Sequence, residues 1–491
     1  MSDLTDDLTT LFNDSVLVMI GKIAAIGGSF LVHTLLVRNL NPESFGILSL
    51  GLTIISISAG IAMVGMNQTV ARFIGGLSTE KANQYVIIGL STVLVSGVLV
   101  SISVYVSSGL LESFFVIPGL ENILEALIIV IILRLMSKVV LGIVRGFEMT
   151  RARTIYHDIA PLLISIPILY YFISIGMTLT GAFSYFILNP VLRFSLLYVE
   201  LYRKKSRSLS LCLPERSEVS KLFSFSWPLA FESMVVLFLG SVDILMLGWF
   251  NASEAVGFYR SVQPVSKTVI FFIQILTFIY LPIATQKFEQ GELGELDTLY
   301  KTATRWVSHA SFPLVVFYIL FGKNFIASVF GDEYVVAWLA LAILSIGMYS
   351  RVIAGPNGMT IKAIDRTKED LLASIGALCT NVVLNYILIP LYGISGAAVA
   401  TMLGYVVYNA IDLAIIYRYT GVSPFHVDLI TPLIPTAILC TLVRVIIQPS
   451  VTSFIGLFIV GICISLIHLT SVLLTTGLTQ QDMMLIDNLR T

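Results

Sequence analysis

Charged residues are scarce in this chain. Asp, Glu, Lys and Arg make up 12% of its 491 residues, whereas 56% are hydrophobic. Soluble globular proteins average about 25% charged residues. The mean hydropathy of +0.91 therefore excludes an ordinary soluble domain and indicates a polytopic membrane protein.

Cysteine is also scarce, and its copies are poorly placed for chemistry. Cys379, Cys440 and Cys463 fall inside apolar runs, and Cys212 lies in a polar loop without a nearby partner. This spacing predicts neither a disulfide framework nor a metal-ligand cluster. We expect no metal site, no cofactor and no catalytic residue.

The first residues, M-S-D-L-T-D-D, include no basic side chain, and the first apolar run lacks a small-residue cleavage site. We therefore expect no removable signal peptide. The net charge of −1 carries no information about partners, because in a membrane protein the placement of the basic residues matters more than their sum.

Long apolar runs are what the chain has in abundance. A membrane span needs about 20 mostly apolar residues, and about fourteen such runs are separated by short polar loops. The sequence therefore predicts an all-α integral membrane protein. The expected spans are 15–37, 44–67, 84–106, 122–144, 155–174, 179–199, 226–249, 257–284, 304–321, 334–355, 371–390, 394–417, 429–447 and 453–475.

Basic residues are concentrated in the loops that follow even-numbered spans. Arg145, Arg151 and Arg153 follow the fourth span, whereas the loops after the odd-numbered spans offer Arg38 and Lys323. Because Lys and Arg favour cytoplasmic loops, we expect a cell-membrane protein with both termini in the cytoplasm. Basic clusters this short beside apolar spans are more typical of topology signals or anionic-lipid contacts than of nucleic-acid binding. We expect no nucleic-acid partner.

Several segments recur at a nearly constant displacement, which indicates a duplicated chain. Parallel repeats of six spans would place a site between two lobes. We predict an N-terminal lobe (1–205), a linker (206–222), a C-terminal lobe (223–422) and an extra helix pair with a tail (423–491). The matches are 43–46 with 254–257 at 211 residues, 145–151 with 362–368 and Arg134 with Arg351 at 217, and 181–182 with 396–397 at 215.

Basic residues inside the spans are the candidate ligand-binding groups, since a charge at mid-membrane costs about 2.5–3.5 kcal/mol on insertion scales. Helical phase places Arg134, Lys138 and Arg145 on one face of the fourth span. Arg145 and Arg260 lie near enough to a span end to reach lipid headgroups, and that alternative stays open. A cationic cavity suits a phosphate. The predicted substrate-binding residues are Lys22, Arg134, Lys138, Arg260, Lys267 and Arg351.

Three carboxylates inside spans are candidates for ion or proton coupling. Glu232 and Asp243 are expected to share a face of the seventh span, and Asp412 lies in the twelfth. A lone carboxylate at that depth either titrates or finds a base. An ion pair of Asp243 with Arg260 or Lys267 is the structural alternative.

Three segments resemble a known family. They are S-V-F-G-D-E-Y-V-V-A at 328–337, the run from Asn381 to Thr401, and S-V-D-I-L-M-L-G followed by S-E-A-V-G-F-Y within 241–259. In this order they are similar to the polysaccharide transporter branch of the multidrug/oligosaccharidyl-lipid/polysaccharide exporter superfamily, which includes lipid-linked oligosaccharide flippases of the O-antigen type.

The resemblance implies a two-lobed helical fold with a central cavity that opens to alternate sides of the membrane. It implies a polyprenyl (pyro)phosphate-linked oligosaccharide or polysaccharide repeat unit as the anionic cargo. It also implies a protein that acts as a monomer among membrane lipids, with glycan-assembly enzymes as candidate partners.

Two other function classes stay open. One is a cation-coupled multidrug exporter of the same fold, for which Glu232, Asp243 and Asp412 would be the carboxylates of interest. The other is a membrane-embedded glycan-processing enzyme, which should have a large outer loop or an acid/base cluster. The short outer loops and the many bases in the spans favour a non-enzymatic flippase.

Overall fold

A computed structural model describes residues 2–75, 79–205, 215–250, 252–447 and 453–477. These residues form helices joined by short turns, with no β-strand among them. Contacts divide the chain into two compact units, residues 1–257 and 258–491. Residues 206–214 of the predicted linker and 478–491 of the predicted tail lie outside the described ranges.

The helices divide between the two units in chain order. The first unit contains α1 (Ser2–Asn39), α2 (Pro42–Met63), α3 (Met66–Ile74), α4 (Thr79–Phe115), α5 (Leu120–Gly146), α6 (Thr150–Arg153), α7 (Ala160–Ser174), α8 (Thr178–Lys205), α9 (Arg216–Leu239) and α10 (Val242–Phe250). Helix α11 (Ser253–Ser266) continues into the second unit, which contains α12 (Phe271–Glu289), α13 (Leu293–Val329), α14 (Trp338–Ile353), α15 (Asn357–Ala363), α16 (Thr367–Thr420), α17 (Val427–Ile430), α18 (Leu433–Ile447) and α19 (Phe454–Thr475).

Twelve described helices are long and apolar enough to cross a membrane, and there are up to thirteen if the bent pair Ser253–Thr277 and Ile279–Glu289, which runs from α11 to the end of α12, is one span. The pair bends by 52° near residue 278, whose carbonyl cannot receive a helical hydrogen bond from Pro282. Helix α16 has 54 residues, and Gly393 breaks its helical geometry. At ~1.5 Å per residue it is far longer than the hydrocarbon core, about 30 Å. Helix α16 therefore holds two crossings. With the bent pair counted as one span, this gives the fourteen predicted spans, and the all-α membrane fold is confirmed.

The same backbone turn follows α5 and α15. Glu148 has a φ of 57° and Asp365 a φ of 56°, a left-handed conformation that is uncommon outside glycine. The Glu148 amide donates to the Arg145 carbonyl at 3.0 Å, and the Asp365 amide donates to the Lys362 carbonyl at 3.2 Å. Both acids and both carbonyls are 217 residues apart. The predicted internal repeat is thus present in the backbone geometry.

Glycines repeat in the same way. Gly176 and Gly393 have φ of 79° and 55°, and they too are 217 residues apart. Each of them is followed by a second glycine in a close contact. A Cβ atom at Gly181 would lie 2.8 Å from the Phe172 Cβ, and one at Gly396 would overlap the Leu388 carbonyl. In each unit, glycine thus allows consecutive helices to pack closely.

Helices α9 and α10 pack within the first unit. The Phe225 ring of α9 lies 5.5 Å from the Phe73 ring of α3, centroid to centroid, and the Arg72 guanidinium lies 4.4 Å from the Phe225 ring centre. The Tyr85 hydroxyl of α4 donates to the Glu218 carboxylate. The contacts therefore divide the chain after residue 257 rather than at the predicted linker, and the predicted lobe boundaries stay a prediction.

The extra helix pair, α18 and α19, packs against α13. The Arg444 Nε donates to the Leu320 carbonyl at 3.0 Å, and its guanidinium lies 5.0 Å from the Phe321 ring centre. Between the two helices of the pair, the Thr436 hydroxyl lies 2.8 Å from the His468 Nδ1. The charge of Arg444 thus serves helix packing.

Candidate functional site

Helix α5 carries the predicted basic residues of the fourth span. Arg134 is half-buried, and its Nη1 donates to the Ser56 hydroxyl of α2 at 2.7 Å. Lys138, one turn later, is accessible to solvent although protein surrounds it on most sides. A ligand can therefore reach the Lys138 ammonium group.

Arg193 of α8 joins this group, although it was not among the predicted site residues. Its positive charge acts on Lys138 together with that of Arg134. The Arg193 Nε is buried and has no hydrogen-bond partner among the described residues. A signal was present in the sequence, because Arg193 stands inside the sixth apolar run, where a charge marks a functional candidate as much as it does in the fourth.

Further basic residues lie where α1 approaches the turn after α5. Lys22 is half-buried, and the charges that act on it are those of Arg153, Asp158 and Arg145. The Asp158 carboxylate lies 2.8 Å from the Nδ1 of His157, in a π-helical turn, Thr154–Ile159. Such turns are frequent at functional sites. The carboxylate of Asp158 thus stands next to several bases.

These side chains form one group in the first unit, because Asp158 and His157 also feel the charge of Arg193. Arginine offers a planar fork of donors that stays charged and matches phosphate oxygens, whereas lysine offers a point charge. The group can therefore hold an anionic headgroup. We call it the basic cluster, and its members are Lys22, Arg134, Lys138, Arg145, Arg153 and Arg193.

The other three predicted bases belong to the second unit. The Arg351 guanidinium of α14 lies 5.1 Å from the Tyr405 ring centre. The Arg260 Nη1 donates to the Gln263 Oε1 at 2.5 Å, and Lys267 is exposed at the start of a 3-10 turn. The structure thus places Arg134 and Lys138 together with Arg193, and it places Lys22 with Arg145 and Arg153. A site shared between the two sets stays a prediction.

The predicted carboxylates occupy different environments. Glu232 is exposed on α9, whereas Asp243 is 1% exposed on α10 and accepts a hydrogen bond from the Ile244 amide at 2.9 Å. The expectation that they share one helical face was wrong, because it assumed a continuous helix and the helix breaks at Gly240 and Ser241. Pairing of Asp243 with Arg260 or Lys267 stays a prediction. Asp412 of α16 is 0% exposed.

Comparisons with known proteins agree on the family. A family profile described as "Polysaccharide biosynthesis protein" matches residues 35–339. A probable low-salt glycan biosynthesis flippase, Agl15 of Haloferax volcanii, is 23% identical over 216 residues, 44% of this chain and 46% of its own. The teichuronic acid biosynthesis protein TuaB of Bacillus subtilis is 26% identical over 282 residues, 56% of each chain. The matched region thus spans about half the length of these curated relatives.

Solved structures extend the comparison to nearly the whole fold. A lipid II flippase, MurJ, in an inward closed conformation aligns with a TM-score of 0.73 at 12% identity and covers 93% of this chain and 98% of its own. A multidrug resistance MATE family transporter aligns with a TM-score of 0.68 at 17% identity, over 83% of this chain and 98% of its own. At these identities the likeness concerns the fold. Since the family profile covers more than half of the sequence, the chain belongs to the polysaccharide biosynthesis protein family.

Proposed function

We propose that this protein is a flippase that moves a polyprenyl (pyro)phosphate-linked oligosaccharide across the cell membrane by alternating access. It does so as a monomer with both termini in the cytoplasm. The basic cluster binds the anionic (pyro)phosphate, and the glycan follows it through the protein. No covalent step is needed, which agrees with relatives that are named flippases.

The observation that carries this proposal is the basic cluster itself. Arg134, Lys138 and Arg193 stand on helices whose apolar windows are long enough to span a membrane, where each charge costs about 2.5–3.5 kcal/mol. The carboxylate of Asp158 acts on Lys22 and Arg193, within a group that has six basic members. An anionic ligand offsets that cost, and a neutral one does not.

Chemistry also explains why the cluster mixes arginine with lysine. Arg134 and Arg193 supply forked donors for phosphate oxygens. Lys138 supplies a point charge with rotatable donors, which holds a phosphate in a less fixed geometry. A flippase must let its cargo go, so a partly hydrated cluster serves transport better than a closed one. Arg351 is the candidate contact from the second unit.

The lipid part of the cargo needs an apolar surface. Within the second unit, α13 and α19 enclose a groove with a volume of about 460 Å³, lined by side chains that include Phe317, Phe325 and Phe458. Its residues are almost all apolar, which suits an isoprenoid chain. The groove can accommodate the lipid part of such a cargo.

A multidrug exporter is the alternative, because the fold is shared with a multidrug resistance transporter. Such exporters would need a carboxylate to bind cationic drugs, and Asp243 is buried with a backbone donor already in place. The surplus of bases in the first unit favours the anionic glycan-lipid.

The proposal is tested by depleting the protein in its own host and labelling glycan-lipid with a membrane-impermeant reagent. We expect the glycan-lipid to accumulate on the inner leaflet and to return to the outer leaflet when the wild-type gene is restored. Normal outer-leaflet labelling in depleted cells, together with raised sensitivity to cationic drugs, would instead establish the multidrug exporter.

A further inference from the structure

The second unit contains a fully buried carboxylate, that of Asp412. Asp412 is 0% exposed on α16, and neither of its carboxylate oxygens has a hydrogen-bond partner among the described residues. The nearby Tyr408 hydroxyl has one proton, which it donates to the Asp370 Oδ1 at 2.7 Å. Asp412 is thus a buried carboxylate beside a hydroxyl whose proton goes to Asp370.

An apolar cluster lies next to Asp412 along the helix. Ile416, one turn later, is fully buried in it, together with Tyr280 and Tyr300, and Leu413 packs against it. The hydroxyls of both tyrosines are already engaged, that of Tyr280 with Thr360 at 2.8 Å and that of Tyr300 with the Ala354 carbonyl at 2.6 Å. This side of the carboxylate therefore offers little to stabilise a negative charge.

A polar network lies one turn earlier on the same helix. The Asn357 Nδ2 donates to the Asn409 Oδ1 at 3.1 Å, and the Asn409 Nδ2 donates to the Ser350 hydroxyl at 3.3 Å. The Asn357 Oδ1 accepts from the Gly358 amide at 2.9 Å. Each amide oxygen thus already accepts one hydrogen bond, whereas a hard metal cation needs several oxygen ligands around it. A proton needs none.

The charged and titratable groups that act on Asp412 come from three helices. Asp370 and Tyr408 belong to α16 itself, Tyr300 belongs to α13, and Arg351 of α14 supplies the positive charge. Asp370 carries a negative charge, and Arg351 carries a positive one. No ion pair between Asp412 and Arg351 is present among the described residues, since the Arg351 guanidinium faces the Tyr405 ring.

We propose that Asp412 is a proton-binding site and that its protonation controls the charge available at Arg351. The ionised carboxylate takes one proton from water and becomes a neutral acid, and it returns that proton to water on release. The ionised form attracts the Arg351 guanidinium, and the neutral form leaves it for an anionic ligand. The second half of this inference rests on the proposed function, whereas proton binding itself does not.

The proton site is tested on the purified full-length protein with dicyclohexylcarbodiimide, which modifies protonated carboxyl groups in apolar surroundings. Mass spectrometry of the digested protein should find the adduct on Asp412, with less of it as the pH rises. No adduct at Asp412 across the pH range in which the protein stays folded would overturn the proposal. Protection by Na⁺, but not by choline at equal ionic strength, would replace the proton site with a sodium site and would also overturn it.

Two variants separate a proton site from a structural ion pair. Asp412→Asn mimics the neutral acid and should unfold at the wild-type temperature, whereas a carboxylate needed as the partner of Arg351 would make this variant markedly less stable. Arg351→Ala removes the favouring charge and should extend labelling of Asp412 to higher pH. An unchanged labelling profile in Arg351→Ala would contradict the link between the two residues. Labelling is measured without glycan-lipid, so its failure is distinct from failure of the flippase proposal.

Discussion

Gly46 of α2 and Gly257 of α11 lie backbone against backbone. A Cβ atom at Gly46 would overlap the Ser253 carbonyl and lie 3.0 Å from the Gly257 nitrogen, and one at Gly257 would overlap the Pro42 carbonyl and lie 3.2 Å from the Gly46 nitrogen. Both residue pairs, 42 with 253 and 46 with 257, are 211 residues apart. The duplicated segments therefore meet each other reciprocally, and glycine is required at the crossing.

Gly46→Ala should destabilise the protein by about 1–3 kcal/mol, because the added methyl group overlaps backbone that cannot move independently. Helix propensity alone predicts the opposite sign, since alanine favours a helix over glycine by about 1 kcal/mol. Thermal unfolding of the purified protein measures the difference. Gly27→Ala is the matched control, because nothing lies within 4 Å of a Cβ atom there, and wild-type stability of Gly46→Ala would contradict the close crossing.

Arg134→Ala should weaken binding of a pyrophosphate lipid about 10-fold to 100-fold, since a charge-assisted hydrogen bond contributes about 1.5–3 kcal/mol. Arg134→Lys should retain part of the affinity, because it keeps the charge and loses the forked geometry. Binding to the detergent-purified protein is the measurement. Arg38→Ala, at an exposed residue, is the control, and equal loss in both alanine variants would point to unspecific electrostatics.

Arg351→Ala should also impair glycan export, because Arg351 is the repeat equivalent of Arg134 at a displacement of 217 residues. Arg351→Lys should export more than Arg351→Ala does. Surface glycan is measured at matched expression of each variant. Wild-type export by both Arg134→Ala and Arg351→Ala would remove the two arginines from the site.

Arg444→Ala should loosen the extra helix pair from α13, with a loss of about 1 kcal/mol for the hydrogen bond to the Leu320 carbonyl. Hydrogen exchange of the α18 amides should become faster, and that of α5 should stay unchanged. Ile446→Ala is the control on the same helix, because Ile446 is 81% exposed. Equal exchange in the two variants would show that Arg444 does not anchor the pair.

The loops define the topology through their basic residues, so tags after Thr491 or within 206–220 should report the cytoplasm. Tags near Asn251 or Gly119 should report the outside. Accessibility of each tag in intact and permeabilised cells measures this, and an outside signal from 206–220 would contradict the arrangement of two six-span halves.

Much of the fold could be predicted, because the lengths of the apolar runs and the repeated segments can be read directly from the sequence. The matched segments 145–151 and 362–368 contain Glu148 and Asp365, which share a left-handed backbone conformation. The one-face assignment of Glu232 and Asp243 failed because a break at Gly240 and Ser241 is not visible in hydropathy. Local chemistry determines the turns, whereas the break depends on packing.

The candidate site was predictable only in part. The phase of α5 placed Arg134 and Lys138 together, but Arg193 and Asp158 come from other helices, and sequence spacing cannot say which faces meet. The isolation of Asp412 is also invisible in sequence, because it depends on donors of neighbouring helices that are already engaged.

Reconstitution measures lipid translocation by the purified protein alone. Purified protein in liposomes that contain a fluorescent polyprenyl pyrophosphate oligosaccharide is treated with a membrane-impermeant quencher, and the rate at which protected lipid becomes accessible is measured. We expect faster exposure with the wild-type protein than in protein-free liposomes, a strong loss with Arg134→Ala, and a wild-type rate with Arg38→Ala. Exposure at the protein-free rate, or a wild-type rate in Arg134→Ala, would contradict a flippase that works through the basic cluster.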